Sequence, residues 1–308
     1  MPNNARDFRM SATQDLAGLL AQFTPEDGMH ETALPRVALI RMSRPTEPLP
    51  HLHQPAVCIV VQGAKQVMVG QEVFTYDRAK HLIVSVDVPI VSHVTEASEE
   101  KPYLCLRLDL DPVAIAALLL ETGQPQGPPA RGAGVGLGAT TPEVLDAAAR
   151  LVRLLGNPQD APFLAPLIES EILYRLLHGE FGGRLREIAT PDSRLVQVNR
   201  AISWIKLNFD QPFSMEALAA EARMSASALH EHFKTITALS PLQYQKQLRL
   251  QEARRLILSG HLDAASAGHQ VGYESPSQFS REYARLFGAP PMRDLARLRA
   301  SPEALTFA

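Results

Sequence analysis

The chain has 308 residues, 45% of them hydrophobic and 20% charged, which fits roughly two globular domains with ample material for their cores. No apolar run approaches the ~18 residues of a membrane helix, and the start MPNNARDFRM lacks a signal-peptide core, so a cytoplasmic protein with no membrane partner is expected. Two cysteines, Cys58 and Cys105, cannot form a disulfide framework, and a reducing compartment keeps them as thiols.

Residues 1–30 read as irregular apart from one short helix over about 13–23. From 37 to 110 the pattern is β. VALIRM, AVCIVVQG, KQVMVG, EVFTY, HLIVSV and YLCLRLDL are short runs rich in β-branched and apolar residues, separated by Gly63, Gly70-Gln71, Asp77 and Pro89. KQVMVG and EVFTY flank Gly70-Gln71 as a hairpin. Many short strands without intervening helices predict a small barrel or jelly roll. DPVAIAALLLE then opens a helix, with Asp111 as N-cap and Pro112 at its first position. Residues 123–142, rich in Gly and Pro, read as a mobile loop or flap. Two helical stripes follow, Val144, Leu145, Ala148, Leu151, Val152 and Leu155, then Leu164, Leu167, Ile168, Ile172 and Leu176. They serve either as packing faces against the barrel or as a dimer interface. Gly182-Gly183 and ATPDS mark a linker over 182–193, which separates a domain over 1–181 from one over 194–308.

Beyond the linker every element reads as helix. Residues 195–208 carry Val198, Ile202 and Ile205 on one face, Ser214 caps 215–222, and Met224-Ser225 turns the chain into 226–235. Ser240-Pro241 starts a long helix to about Leu258, with Leu242, Leu248, Ala253, Leu256 and Ile257 inward, closed by Ser259-Gly260. Asp263 caps the next helix, Gly272 makes its turn, and Ser275-Pro276 opens a helix over 276–286 that Gly288 ends. Pro290-Pro291 starts the last.

One unit is written twice in this stretch. LAAEARMSASALHEHF is echoed about 50 residues later by AGHQVGYESPSQFSREY, with Leu229 opposite Phe279, Phe233 opposite Tyr283, Ser225 opposite Ser275 and Ser227 opposite Ser277. Helix, tight turn and a second helix beginning on serine is the helix-turn-helix layout, whose second helix enters the DNA major groove. Leu218, Met224 and Leu229 lie where the helices of the first unit touch, beside the small Ala219; Ala267, Gly268, Tyr273 and Phe279 do so in the second. Gly272 can take a left-handed turn cheaply, whereas Arg223 in that place must hold it at a cost of about 1–2 kcal/mol.

The outward faces carry Ser227, His230, Glu231 and Lys234 on the first helix, and Ser277, Gln278, Arg281 and Arg285 on the second, with Ser275 at its start. Arginine reads guanine, glutamine reads adenine, glutamate accepts from a cytosine amine, and serines at helix starts favour phosphate. The second unit is therefore the better equipped for base readout. For either unit alone, a helical bundle with a solvated polar face is an equal alternative; two in register joined by one rigid helix favour DNA. Charge agrees, with 14 Lys and Arg against 11 Asp and Glu from Thr190 onward and 16 against 22 before it.

MSASALHEHFK, SPLQYQKQLRLQEARRLIL and above all VGYESPSQFSREYARLFGAPP resemble the DNA-binding domain of the AraC/XylS family of transcription regulators. The resemblance implies two helix-turn-helix units bridged by the long helix and inserted into successive major grooves. It puts base contacts on Ser227, His230 and Glu231, then Ser277, Gln278 and Arg281. Gly268 stands where alanine is usual and loosens its helix by up to ~1 kcal/mol. CIVVQGAKQVMVGQEVFTYD, LIVSVDVPIVSHV and PYLCLRLDLDP resemble the cupin-like sensor domain of one AraC-type subgroup, which implies a barrel that binds a small effector.

The fold expected is thus α+β, an N-terminal cupin-like β-barrel with flanking helices followed by an all-α double helix-turn-helix domain. The function expected is that of an effector-responsive, sequence-specific transcription regulator. The partners expected are double-stranded DNA, a small-molecule effector, a second copy of the chain and RNA polymerase. His51, His53, Cys58 and Cys105 are the candidate effector residues. The alternative is a metal-dependent cupin enzyme fused to a DNA-binding module. His51 and His53 share a strand face as cupin ligands do, and His81 or His93 would be the third ligand, but no carboxylate follows at the usual place. The two thiols read as buried and inert, with oxidant or electrophile sensing as the alternative. No P-loop, Rossmann fingerprint or nucleophile elbow appears, so neither a metal nor a cofactor is assigned.

Overall fold

Strand β4 (Ala56–Gln62) is buried along nearly its whole length, and the chain is arranged to cover both its faces. The structure, a computed structural model, describes residues 3–123 and 132–300. In chain order the N-terminal half runs α1 (Asn3–Phe23), β1 (Gly28–Glu31), β2 (Val37–Met42), β3 (Leu49–His53), β4, β5 (Ala64–Val69), β6 (Glu72–Asp77), β7 (Lys80–Val84), β8 (Val88–Glu96), β9 (Tyr103–Asp109), α2 (Pro112–Thr122), β10 (Val135–Ala139), α3 (Pro142–Arg153), α4 (Ala161–Leu177) and α5 (Gly182–Ala189). One antiparallel sheet has the order β1-β2-β9-β4-β7-β10 and the other β3-β8-β5-β6. Helix α1 lies against β4 and β9 on the outside through the fully buried Leu16 and Leu20, while Val67, Tyr76 and Val94 of the second sheet belong to the same core. The expected hairpin is present, with Val69 opposite Glu72 across Gly70 at φ 60°.

Several expectations change. The short helix near the start extends back to Asn3, and Gly28–Glu31 pairs with β2, so residues 1–30 are more regular than their composition suggests. The stretch read as a flap, 123–142, contains a strand; residues 124–131 lie outside the described residues. Strand β10 pairs with β7, Leu137 opposite Leu82 and Gly138 opposite His81. Its glycines are spacers. A Cβ on Gly136 would overlap the Phe181 ring, and one on Gly138 would lie 2.5 Å from His81 Nε2. The stretch read as linker also folds: Gly182–Ala189 is helical because Leu185 and Ile188 are buried. Stripe residues of α3 are buried, but α4 splits, burying Ile168, Ile172 and Leu176 while leaving Leu164 and Leu167 exposed.

The C-terminal half is helical: α6 (Arg194–Leu207), α7 (Met215–Ala222), α8 (Ala226–Thr237), α9 (Pro241–Leu258), α10 (Ala264–Gln270), α11 (Pro276–Phe287) and α12 (Pro291–Ala300). Leu242, expected inward on α9, is exposed, whereas Leu248, Ala253, Leu256 and Ile257 are buried. The two halves dock. Tyr244 donates its hydroxyl to the Asp87 carbonyl at 2.9 Å, Lys206 meets the Asp87 carboxylate at 2.7 Å, and the Gly134 amide donates to the Ile236 carbonyl at 2.8 Å.

If the glycines of β10 act as spacers, Gly136→Ala should lower stability by about 1–3 kcal/mol through overpacking against Phe181. Gly156→Ala, where a Cβ meets nothing within 4 Å, should change it by under about 0.5 kcal/mol. Urea midpoints for the two variants check this; equal midpoints would refute the spacer role.

Candidate nucleic-acid interface and sensor pocket

The first unit is α7 and α8. The Ser214 hydroxyl caps α7 at the Ala217 amide, the Ser225 hydroxyl caps α8 at the Ala228 amide, and Arg223 between them stands at φ 54°, ψ 44°. The strained left-handed arginine expected there is present. Its reward is a bond from the Met224 amide to the Ala219 carbonyl at 3.0 Å, which closes the turn. The second unit, α10 and α11, has the matching bond from the Tyr273 amide to the Gly268 carbonyl at 3.0 Å. Its turn is one residue longer, because Glu274 precedes the cap Ser275.

Gly272 takes φ 88°, and glycine is required there twice over, since a Cβ would also strike the Asp210 carbonyl and the Arg249 side chain. Gly268 does more than loosen a helix. A Cβ there would sit 2.9 Å from two ring carbons of Phe279, so the missing methyl is the seat of the second unit's central aromatic side chain.

Helix α9 joins the units. Its start is a full capping box, Ser240 with Gln243. Gln245 donates to the carbonyls of Asn208, Phe209 and Gln211 on the approach to the first unit. Arg249 donates to Phe209 and Gln211 and, at 2.8 Å, to the Gly272 carbonyl in the second unit's turn. Farther on, Arg254 grips the fully buried Asp294 of α12 through Nε at 2.8 Å and Nη2 at 3.2 Å, and Tyr283 of α11 donates to the same carboxylate at 3.0 Å.

The outward faces match the sequence reading. Ser227, His230, Glu231 and Lys234 are exposed on α8, as are Ser277, Gln278, Arg281 and Arg285 on α11. Ser275 is half-buried and its hydroxyl accepts from the Gln278 amide at 3.3 Å, so its oxygen is engaged as a cap. Sequence reasoning missed Glu282, which accepts from Lys246 of α9, Tyr273 of the turn and Gln278. Its spacing of four from Gln278 was the available signal.

The four candidate effector residues do not form one open site. His51 lines a cleft of about 840 Å³ between the barrel and the helical half, with Arg36, Leu52 and Arg107 on one wall and Lys206, Phe209, Leu248, Arg254 and Arg255 on the other. His53, Cys58 and Cys105 lie buried behind it. The Cys58 sulfur is 3.8 Å from His53 Nε2, and His53 Nδ1 is 2.6 Å from the Gln54 carbonyl. Cys58 faces Arg107 across β4 and β9, and Cys105 faces Val60, which makes the thiols diagonal neighbours on one face.

A hydrogen bond from Cys105 holds the Cys58 thiol below its ordinary range against the effect of burial, with His53 adding to it, while burial pushes Cys105 up. Burial likewise pushes the Lys65 amine down. Lys65 and Arg107 went unmarked in the sequence, although a charge inside an apolar alternating run, KQVMVG or YLCLRLDL, is the signature of such a buried polar group. Among the described residues no group of three or more His, Cys, Asp or Glu side chains is placed to hold a metal ion. The rings of His51 and His53 are 6.1 Å apart, and His81 instead meets the Thr140 hydroxyl at 3.4 Å. No helix among the described residues is long and apolar enough to cross a membrane.

Two family profiles match the chain, "AraC-type transcriptional regulator N-terminus" over residues 33–184 and "Helix-turn-helix domain" over residues 218–297. Among curated proteins it is similar to the "HTH-type transcriptional activator RhaS" of Salmonella schwarzengrund, 30% identical over 160 residues, 51% of this chain and 55% of that protein. The chain thus spans about half the length of the curated relatives it matches. Among solved structures, apo ToxT from Vibrio cholerae superposes with a TM-score of 0.56 at 11% identity, covering 86% of this chain and 99% of that one. ToxT from the same species with an unsaturated fatty acid bound superposes with a TM-score of 0.52 at 12% identity, covering 84% and 94%. At such identity the likeness is one of fold, a two-sheet domain joined to a helical domain.

Stability should depend on His81, whose imidazole is 4% exposed and pushed by burial from 6.5 down to about 4. Because the folded-state value is depressed, the unfolded chain binds the proton more readily. The contribution is whole above about pH 6.5 and is lost as pH falls toward 4, amounting to about 3 kcal/mol. Urea denaturation at pH 7.5 and 4.5 should show His81→Gln losing less stability on acidification than the wild type by roughly that amount; an equal loss in both would count against it.

Proposed function

Because the chain belongs to the AraC/XylS family of transcription regulators, we propose that it binds double-stranded DNA sequence-specifically, with α8 and α11 in successive major grooves, and that a small-molecule effector adjusts this binding. The observation that carries the reading is the pair of helix-turn-helix units gripped by one helix through Gln245 and Arg249, each presenting its polar side chains to solvent. The readers are Ser227, His230, Glu231 and Lys234 with Ser277, Gln278, Arg281 and Arg285, and Ser275 sits where a helix N-terminus meets phosphate. The domain division is the sensor over 1–181 and the DNA-binding domain over 194–308. Activation follows the relatives named as transcriptional activators, and a cytoplasmic location and RNA polymerase as a partner belong to the same reading.

The effector site we assign is the cleft between the halves. ToxT, whose fold this chain shares, has been seen with an unsaturated fatty acid bound, and the class carried over here is only that of a small molecule. The cleft takes Arg36 and Arg107 from one side and Lys206, Arg254 and Arg255 from the other, against the carboxylates of Glu31, Asp109 and Glu252. That excess of basic groups favours an anionic one, with His51 in the lining and the His53, Cys58 and Cys105 cluster behind. Arg254 belongs both to the cleft lining and to the ion pair that orients α11, so a ligand touching it differently in two states would shift the population between them. Homodimerisation is assigned to α4, where Phe163 is 79% and Leu167 67% exposed, with Tyr174 continuing the same side.

Arg281→Ala should weaken binding to a selected site by about 1–3 kcal/mol, roughly 5- to 150-fold, and relax the preference at one guanine, with the fold unchanged by circular dichroism. Titration at matched salt checks this, and unchanged affinity and preference would remove Arg281 from the interface.

A further inference from the structure

Gln278 lies in the first turn of α11 and is exposed, yet its side-chain amide is not free to turn. Its Nε2 donates to Glu282 Oε1 at 3.2 Å, one helical turn on. The same oxygen accepts from Lys246 Nζ of α9 at 2.9 Å, and Glu282 Oε2 accepts from the Tyr273 hydroxyl at 2.9 Å. Donors from α9, from the turn and from α11 itself therefore hold one carboxylate, whose side chain is 16% exposed. Burial alone pushes the Glu282 carboxyl up, but Lys246, Gln278 and Tyr273 together hold it below the ordinary glutamate range. At neutral pH it is ionised and can only accept hydrogen bonds.

An acceptor-only partner decides which end of the glutamine amide faces it. The NH2 group must turn toward Glu282 and the carbonyl oxygen away, toward whatever approaches α11. The carboxylate takes one of the two amide hydrogens. The other stays on the outer edge beside the carbonyl, an acceptor and donor pair that fits the N6 amine and N7 of adenine. Cytosine offers its N4 amine to the carbonyl alone. Guanine presents O6 and N7, and thymine O4, so each would set an acceptor against the amide oxygen. A glutamine free to flip would accommodate any of these.

We propose that Glu282 is a specificity-determining positioning residue: by fixing the amide of Gln278 it restricts the base opposite Gln278 to one carrying an exocyclic amine, adenine before cytosine, and disfavours guanine and thymine. This rests on the DNA-binding reading above. Discrimination by repulsion of the wrong base needs no new contact with the right one. Glu282 itself need never touch DNA.

The test is selection from a randomised duplex library by the full chain, its Glu282→Gln variant and its Gln278→Ala variant, at one salt concentration, with thermal melting alongside. In the wild type one position should favour adenine or cytosine over guanine and thymine by about tenfold. Gln278→Ala should erase that preference and so identify the position. Glu282→Gln, whose amide can donate as well as accept, should reduce it to within about twofold at that position alone. An unchanged preference in Glu282→Gln overturns the proposal, as does a uniform loss at all positions, which would make Glu282 a brace and nothing more. Guanine or thymine in the wild-type pool at the position Gln278→Ala erases overturns it too, and that comparison stands even if Glu282→Gln fails to fold. A wild-type pool with no sequence preference would instead sink the DNA-binding reading itself, and this inference with it.

Discussion

Burying a carboxylate is expensive unless every lone pair is used, and the Asp294 carboxylate is entirely buried. It is satisfied by two nitrogens of Arg254, by the Tyr283 hydroxyl and by Arg297, which joins α9, α11 and α12 at one point. An apolar cluster of equal volume would hold three helices together about as firmly. It would not fix the rotation of α11 about its own axis, because dispersion is not directional and hydrogen bonds are. With Tyr283 turned in, Arg281 and Arg285 emerge on the far side, about 200° round the helix at 100° per residue. The ring contacts run on from that point, Tyr283 with Phe287 at 4.5 Å and with Phe279 at 5.6 Å, and the Arg254 guanidinium lies 4.4 Å from the Phe287 ring centre.

The same helix that ends at this ion pair begins on the barrel. Tyr244, a turn into α9, is wholly buried and spends its hydroxyl on the Asp87 carbonyl, while the carboxylate of Asp87 takes Lys206 from α6. One residue of the loop between β7 and β8 thus holds two helices of the other half. From the middle of its length onward α9 contributes Leu248, Arg254 and Arg255 to the cleft facing His51 and Arg107. The two halves are therefore joined by shared walls and a shared helix.

How much of this could be read from the residues depended on whether the information was local. Helix starts were legible because a cap is a local hydrogen bond: Asp111, Ser214 and Asp263 cap as expected, and Ser225, Ser240 and Ser275, read as the points where helices begin, cap them too. The paired units were legible because their packing residues recur at fixed spacing. Strand β10 was not, since alternating glycines are a loop signal unless one knows that Phe181 and His81 fill the space they leave. Helix α5 was lost behind Gly182-Gly183 for the same kind of reason, its burial being supplied by distant elements. On α4 the apolar residues run round more than one face, so periodicity could not say which would stay exposed. The exposed side chains proposed as readers were placed by spacing alone, but Glu282 becomes visible only when α9 and the turn deliver Lys246 and Tyr273 to it.

The two units end up buttressed differently, and that bears on what each can do. The C-terminal end of α8 is pressed against the sensor. Ile236 and Thr237 are buried, the Ile236 carbonyl takes the Gly134 amide, and Ala238, at φ 60°, leaves a Cβ on Gly70 only 2.7 Å of room. The tip of the β5–β6 hairpin therefore rests against the residue that ends α8, and a shift of that hairpin toward the helix must move α8. The second helix is braced from within its own domain, by Asp294 beneath and by Glu282 at its side. It also touches the N-terminal half directly at β3, and α12 adds the exposed Arg297–Glu47 pair at 3.3 Å, of a kind that contributes little. In the DNA-binding reading proposed above, Gln278 of α11, held by Glu282, is suited to discriminate among bases, while the end of α8 lies where a movement of the β5–β6 hairpin would reach it.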